Sequence, residues 1–153
     1  MKLRTSTVIA SVFGIGYFPF ASGTVASAVA VPLAIPILMH GGAIALAGAS
    51  LVAFAVGVWA CGDHVRATGR EDPSECVIDE VAGQWLACAF ASVSLPSLAL
   101  AFVLFRLFDI WKPWPVGWAD RELPGGLGVM TDDMIAGLMA GVLVALVRTL
   151  VPL

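Results

Sequence analysis

Long apolar stretches alternate along the chain with two short polar windows. Apolar runs occupy residues 24–39, 41–62, 81–105 and 134–153. The runs over 41–62 and 134–151 approach the ~20 residues a helix needs to cross ~30 Å of hydrocarbon. Residues 24–39 are fewer and include Pro32 and Pro36, which predicts a tilted, kinked or partly embedded segment. The run over 81–105 is too long for one plain span. Ser92, Ser94, Pro96 and Ser97 near its middle predict a tight hairpin of two short helices. The pattern therefore predicts an all-α integral membrane bundle of about five apolar helices, folded as a single domain over 1–153 and joined by two polar loops.

Composition agrees. Of 153 residues 59% are hydrophobic and only 12% charged, about half the usual charged share, and mean hydropathy is +0.95. So few charges could not cover the surface of a soluble domain of this size. A net charge of −3 supplies no field that would attract a phosphate backbone, so nucleic-acid binding and disorder are both excluded. Cys61, Cys76 and Cys88 cannot close a disulfide framework and have no metal-type spacing to a histidine, so they read as reduced, buried thiols. The N-terminus imitates a secretory signal, with Lys2, Arg4, an apolar run and Ala26-Ser27-Ala28. Gly14, Gly16 and Pro19 interrupt that run, so it is expected to remain part of the protein.

Where the charges fall says more than their sum. Eight lie between Asp63 and Glu80, eight between Arg106 and Asp133, and all eleven carboxylates belong to these two windows. If every helix crosses, Lys2, Arg4, Arg66, Arg70, Arg106, Lys112 and Arg121 share one side, while the connections near His40 and Ser94 hold no formal charge. The positive-inside bias makes that side cytoplasmic. Trp59, Trp85, Trp111, Trp114 and Trp118 would then sit near the headgroups. A site at the cytoplasmic interface is implied, reached by something partly lipid and partly charged.

Three constellations carry chemistry. In the first window Asp72 or Ser74 is positioned to cap a helix bearing Asp79 and Glu80. Asp79, Gly83, Ala87 and Ala91 repeat at i, i+4, a small-residue stripe that would turn Asp79 into a helix contact. A carboxylate there is costly without a cation. In the second window Arg106, Asp109 and Lys112 follow i, i+3, i+6 on one helical face that Pro113 ends. Two cations flanking an acid suit a phosphate held beside a metal ligand. Further on, Thr131 or Asp132 is placed to cap the last helix, and Asp133, Gly137 and Gly141 form a second acid-plus-small stripe. Ala136 and Ala140 form the same stripe for Asp132, so the pattern does not choose between the two acids. Gly23-Thr24 opens the first apolar helix, where free amides suit an anion.

Acids without a neighbouring histidine or cysteine indicate a hard cation, magnesium before zinc. Rival phosphatase chemistries fail on the letters. Cys61 and Arg66 have the wrong spacing for a cysteine-phosphatase loop, His40 and His64 fall on opposite sides of the membrane, and no Asp-x-Asp occurs.

Segments 14–27, 72–85 and 105–137 together resemble the phosphatidylglycerophosphatase A family, most specifically through Val77-Ile78-Asp79-Glu80-Val81-Ala82-Gly83-Gln84-Trp85, Phe105-Arg106-Leu107-Phe108-Asp109-Ile110-Trp111-Lys112-Pro113-Trp114-Pro115, Gly126-Leu127-Gly128-Val129-Met130 and Asp132-Asp133. Members usually carry Pro where Ser22 stands and Gly where Ala26 stands. The resemblance implies a multihelical, Mg2+-dependent phosphatase of the bacterial inner membrane, which removes the terminal phosphate of phosphatidylglycerophosphate to leave phosphatidylglycerol in phospholipid biosynthesis. Carried over by position, it implies Asp79, Glu80, Asp109, Asp132 and Asp133 as metal-binding or catalytic acids, with Thr24, Arg106 and Lys112 contacting the phosphate. The competing expectation from the residues alone is an ion or metal transporter subunit with intramembrane carboxylates.

Overall fold

A computed structural model describes residues 4–153, and every element in it is helical. Short α1 (Thr5–Ala10) leads through a 3-10 turn (Ile15–Tyr17) to α2 (Ser22–Thr68). Then follow α3 (Ile78–Cys88), α4 (Leu95–Trp111), α5 (Val116–Glu122) and α6 (Gly125–Leu150). Lys2 lies outside the described residues. Two of these helices, α2 and α6, are long and apolar enough to cross a membrane.

Continuity of α2 is only nominal. Gly42 takes φ 71° and ψ −171°, a backbone state that a Cβ would penalise and glycine does not. The chain doubles back there, as α3 records from both sides. Trp85 Nε1–H donates to Ala30 O (2.9 Å) on the first half, and Ser50 Oγ–H donates to Ala82 O (2.7 Å) from the second. Gly23 lies beside Glu80 and Gly57 beside Ile78, so the halves run in opposite directions along α3. The break near His40 and Gly42 is where the sequence places it; Pro32 and Pro36 sit inside the first half without ending it.

The expected hairpin over 81–105 is α3 and α4. Ser94 Oγ accepts from Ser97 N (3.3 Å) and Pro96 occupies the first turn of α4, where a missing N–H costs nothing. At 11 residues α3 falls well short of a full crossing. It runs alongside α6 in the same direction, with Arg148 Nη1–H donating to Phe90 O (2.7 Å), while α4 returns the opposite way. As a result the uncharged turns gather at one end of the bundle and both polar windows at the other. The core between them is built from small residues, Ala34, Ala87, Ala136 and Ala140, closed by Phe105 and Leu46.

Two local expectations fail for tertiary reasons. Neither Asp72 nor Ser74 caps α3. That helix starts after Val77 with no side-chain cap, because Val77 N–H is tied to Ala10 O of α1 (2.9 Å). Asp79 and Glu80 thus occupy its first turn. Nor do Thr131 or Asp132 cap the last helix, which already begins at Gly125. Gly126 sits against the Val58 and Gly62 backbone, and Gly128 against Leu123 O, so close approach to neighbouring backbone makes this glycine run helical. Trp85 is half-buried between α2 and α3, whereas Trp59, Trp111, Trp114 and Trp118 are exposed.

Candidate active site

The crossing of α3 over α6 assembles the site. A Cβ on Gly83 would meet Asp133 O at 2.5 Å, and one on Gly137 would strike the Gly83 backbone. At that separation the first turn of α3 faces the second and third turns of α6. One oxygen each from Asp79, Glu80 and Asp133 lies within 4.8 Å of the other two. Asp79 is 8% exposed and Asp133 only 2%. Asp79 Oδ1, Glu80 Oε2 and Asp133 Oδ2 are all buried with no hydrogen-bond partner. Ionised carboxylate oxygens this close repel one another and have lost their hydration, so the arrangement calls for bound protons or a cation between them.

The donor set defines the cation. All three donors are carboxylate oxygens, which favours Mg2+ or another hard divalent ion over zinc. Oxygens on one Mg2+ sit at most about 4 Å apart, within a small side-chain adjustment of the observed spread. These residues fit the ion.

The other two candidate acids are already paired. Asp109 forms an ion pair with Arg106 one turn back on α4, and its carboxylate neighbours those of Glu80 and Asp133. Asp132 accepts from Lys112 Nζ (3.0 Å), which also donates to Asp120 (2.6 Å). Lys112 caps the end of α4 in the left-handed region, φ 52°. Burial works against its charge, but Asp120 and Asp132 outweigh this and push its pKa above the ordinary lysine value. Arg106 Nε is buried and unpartnered, so the guanidinium has a donor to spare.

These groups line one cleft of about 810 Å³, which Asp79, Glu80, Asp109, Asp132 and Asp133 enter together with Arg106 and Lys112. Its rim also includes Ser22 and Gly23. Ser22 Oγ–H donates to Ser74 O (3.1 Å), and a Cβ on Gly23 would collide with Glu80 Oε1. Thr24 is not among the lining residues; it stands half-buried one position further along α2.

A second polar network escaped the sequence reading. His64 donates through Nε2 to Glu75 Oε1 (2.9 Å), its Nδ1 lies 3.0 Å from Thr7 Oγ1, and Arg70 pairs with the same Glu75. Burial tends to raise the Glu75 carboxyl, but the bonds from His64 and Arg70 prevail and hold it below the usual glutamate range. The network ties loop 69–77, which forms one wall of the cleft, to α1 and the end of α2. No local pattern marks it, since the bond between Thr7 and His64 joins residues 57 positions apart. His40 is exposed beside the Gly42 turn, far along the bundle from His64.

Comparison with known proteins places the chain in a family. The family model for phosphatidylglycerophosphatase A matches residues 8–148. The chain is 33% identical over 142 residues to Phosphatidylglycerophosphatase A of Escherichia coli, covering 86% of this chain and 77% of the relative. It is 36% identical over 92 residues to the Haemophilus influenzae protein of the same name, covering 60% and 56%. It is also 34% identical over 152 residues to a Bacteroides thetaiotaomicron protein named "Putative phosphatidylinositol-3-phosphatase", covering 92% of each. No solved structure matches. The matched span takes in every residue that lines the acid cleft, from Gly16 to Asp133, and by that match this chain belongs to the phosphatidylglycerophosphatase A family.

Proposed function

We propose that this protein hydrolyses the terminal phosphate monoester of phosphatidylglycerophosphate, releasing phosphatidylglycerol and inorganic phosphate, with Mg2+ at the cytoplasmic face of a bacterial inner membrane. The observation that carries this reading is the trio of buried, unpartnered oxygens on Asp79, Glu80 and Asp133, set in a cleft that also presents Arg106 and Lys112. Two relatives are named for this lipid and a third for a different lipid phosphomonoester, which supports the reaction class.

Asp79, Glu80 and Asp133 would hold the ion. Bound there, Mg2+ neutralises charge on the phosphate oxygens, the main requirement of phosphate-monoester hydrolysis. The chain's own groups do the rest. Arg106 and Lys112 bind non-bridging phosphate oxygens from the α4 side and fix the phosphorus relative to the acids. Asp109, held by Arg106 beside Glu80 and Asp133, accepts the proton of the attacking water. Thr24 and the first-turn amides of α2 stand at the lipid side of the phosphate. The apolar segments form a bundle of five helices, the two halves of α2 with α3, α4 and α6, in which the half-length α3 enters the membrane only as far as its partner α6 covers it.

The decisive assay incubates purified protein with phosphatidylglycerophosphate in mixed micelles. Phosphate release is expected with Mg2+, to disappear in EDTA and to return when Mg2+ is restored. A transporter subunit would release none under any of these conditions. Lys112→Met is expected to raise KM about tenfold with a smaller change in kcat, as for loss of one charged phosphate contact; an unchanged KM would remove Lys112 from substrate binding.

A further inference from the structure

Beyond the acid cleft lies an apolar groove of about 280 Å³ between the first half of α2 and α4. Its walls are two stripes at helical spacing. Ala28, Val31 and Ile35 come from α2; Phe102, Ala99 and Leu95 come from α4. No charged residue lines it. Each stripe, followed toward the cleft, reaches a polar residue on the same helical face, Thr24 one turn below Ala28 and Arg106 one turn below Phe102. The helices meet there, since a Cβ on Gly23 would lie 3.4 Å from Arg106 Nη1. Both walls therefore run outward from the rim of the cleft, and residues 28–35 extend the groove along about 10 Å of α2.

We propose that this groove is an acyl-chain subsite, holding one aliphatic chain of the lipid phosphomonoester while its phosphate occupies the cleft. The inference rests on the phosphatase reading and adds to it where the tail goes. Continuity identifies the occupant, because an amphiphile with an anionic head and an apolar tail matches a cleft that sets Arg106 and Lys112 beside an acid trio suited to a cation and lies next to an uncharged groove. Two details agree. Ala28 and Ala99 are exposed, and larger side chains at those positions would fill the space. Thr24, which lacks a place in the cleft lining, falls at the junction where the ester oxygens of a diacylglycerol would lie.

The test compares wild type with Ala28→Leu and Ala99→Phe, two surface changes that leave the core untouched. Phosphate release is measured on long-chain phosphatidylglycerophosphate and on its deacylated head group. In both variants the preference for the long-chain substrate is expected to fall about tenfold, through KM. Equal effects on both substrates, or none on either, would overturn the subsite. A chain-length series on wild type guards against variants that fail to fold: kcat/KM should climb with chain length and then level off, and a flat series overturns the proposal. Phosphatidylglycerol with a diazirine in its acyl chain supplies a readout independent of turnover. Label is expected to concentrate on 28–35 and 95–102 and to drop in Ala99→Phe. Label spread evenly over the apolar surface, or a wild-type dimer that Ala99→Phe dissociates, would show bulk lipid or a second copy in the groove and sink the idea. Concentrated labelling without phosphate release from either substrate would overturn the phosphatase reading while leaving the groove as a lipid site.

Discussion

Asp79→Asn is expected to lower Mg2+-dependent phosphate release by about 10³-fold or more and, in EDTA at mildly alkaline pH, to make the protein more stable. The two effects have one cause. Asp79, Glu80 and Asp133 bring oxygens within 4.8 Å of one another with little water and no protein donors to their buried oxygens. Charges at such spacing repel by about 3–4 kcal/mol per pair at an effective dielectric constant of 20, so neutralising one member should recover about 1–3 kcal/mol of folding stability when no cation is present. With Mg2+ the order reverses, because the wild-type trio gains the ion's binding energy and the variant has lost a ligand. A metal-bound phosphate is stabilised by several kcal/mol in the transition state, and each 1.36 kcal/mol is a factor of ten in rate. Thermal unfolding in EDTA and in Mg2+, set beside turnover, reads out both. A variant that turns over normally, or one less stable than wild type without metal, would show that these carboxylates are not held together for a cation.

How much of this site could be read from letters depends on how local each signal is. Acids at the start of an apolar run, followed by small residues at i+4 and i+8, were enough to single out Asp79. Arg106, Asp109 and Lys112 were legible as one face because they share a helix and Pro113 marks its end. Asp132 and Asp133 were not separable, since both begin stripes of small residues. The structure separates them by neighbour. The Asp133 stripe continues through Gly137 and Gly141 against Gly83 and Phe90, which requires glycine, while the Asp132 side meets Lys112. Which stripe faces which helix is a property of the packed bundle, and periodicity within one helix carries no record of it.

The fold divides along the same line. Gly42 and the Ser92–Ser97 turn were visible because backbone freedom and hydroxyl capping act over a few residues. Helix starts misled for the converse reason. Asp72, Ser74, Thr131 and Asp132 all have good capping chemistry, yet α3 begins where Val77 is tied to Ala10, and α6 begins early where Gly126 fits against Gly62. A cap contributes roughly 1 kcal/mol, less than the packing that overrode it. The His64–Glu75–Arg70 network left no pattern either, since its members follow no helical spacing and its tie to Thr7 of α1 spans 57 positions.

Gly137→Ala is expected to destabilise the protein by about 1–3 kcal/mol and to cut Mg2+-dependent turnover by about 10²-fold, although residue 137 touches neither metal nor phosphate. A Cβ there would run into Gly83 O and approach Gly83 C at 2.9 Å and Cα at 3.0 Å. Those atoms are backbone, so no rotamer change relieves the contact and α3 must move away from α6. The same crossing sets the distance from Asp79 and Glu80 to Asp133, since Asp133 O itself lies against Gly83. An error of about 1 Å in such a placement is enough for a 10²-fold loss. Gly48→Ala is the matched control: an exposed glycine of α2 with nothing within 4 Å of its added Cβ, expected to stay within about 1 kcal/mol of wild type at full activity. Thermal unfolding and Mg2+ titration of turnover in one detergent compare the pair. If the two variants behave alike, the glycine stripe is not what holds the acids in range. If they diverge as expected, the close approach that only glycine permits is what converts two separately buried acidic helices into one cation site.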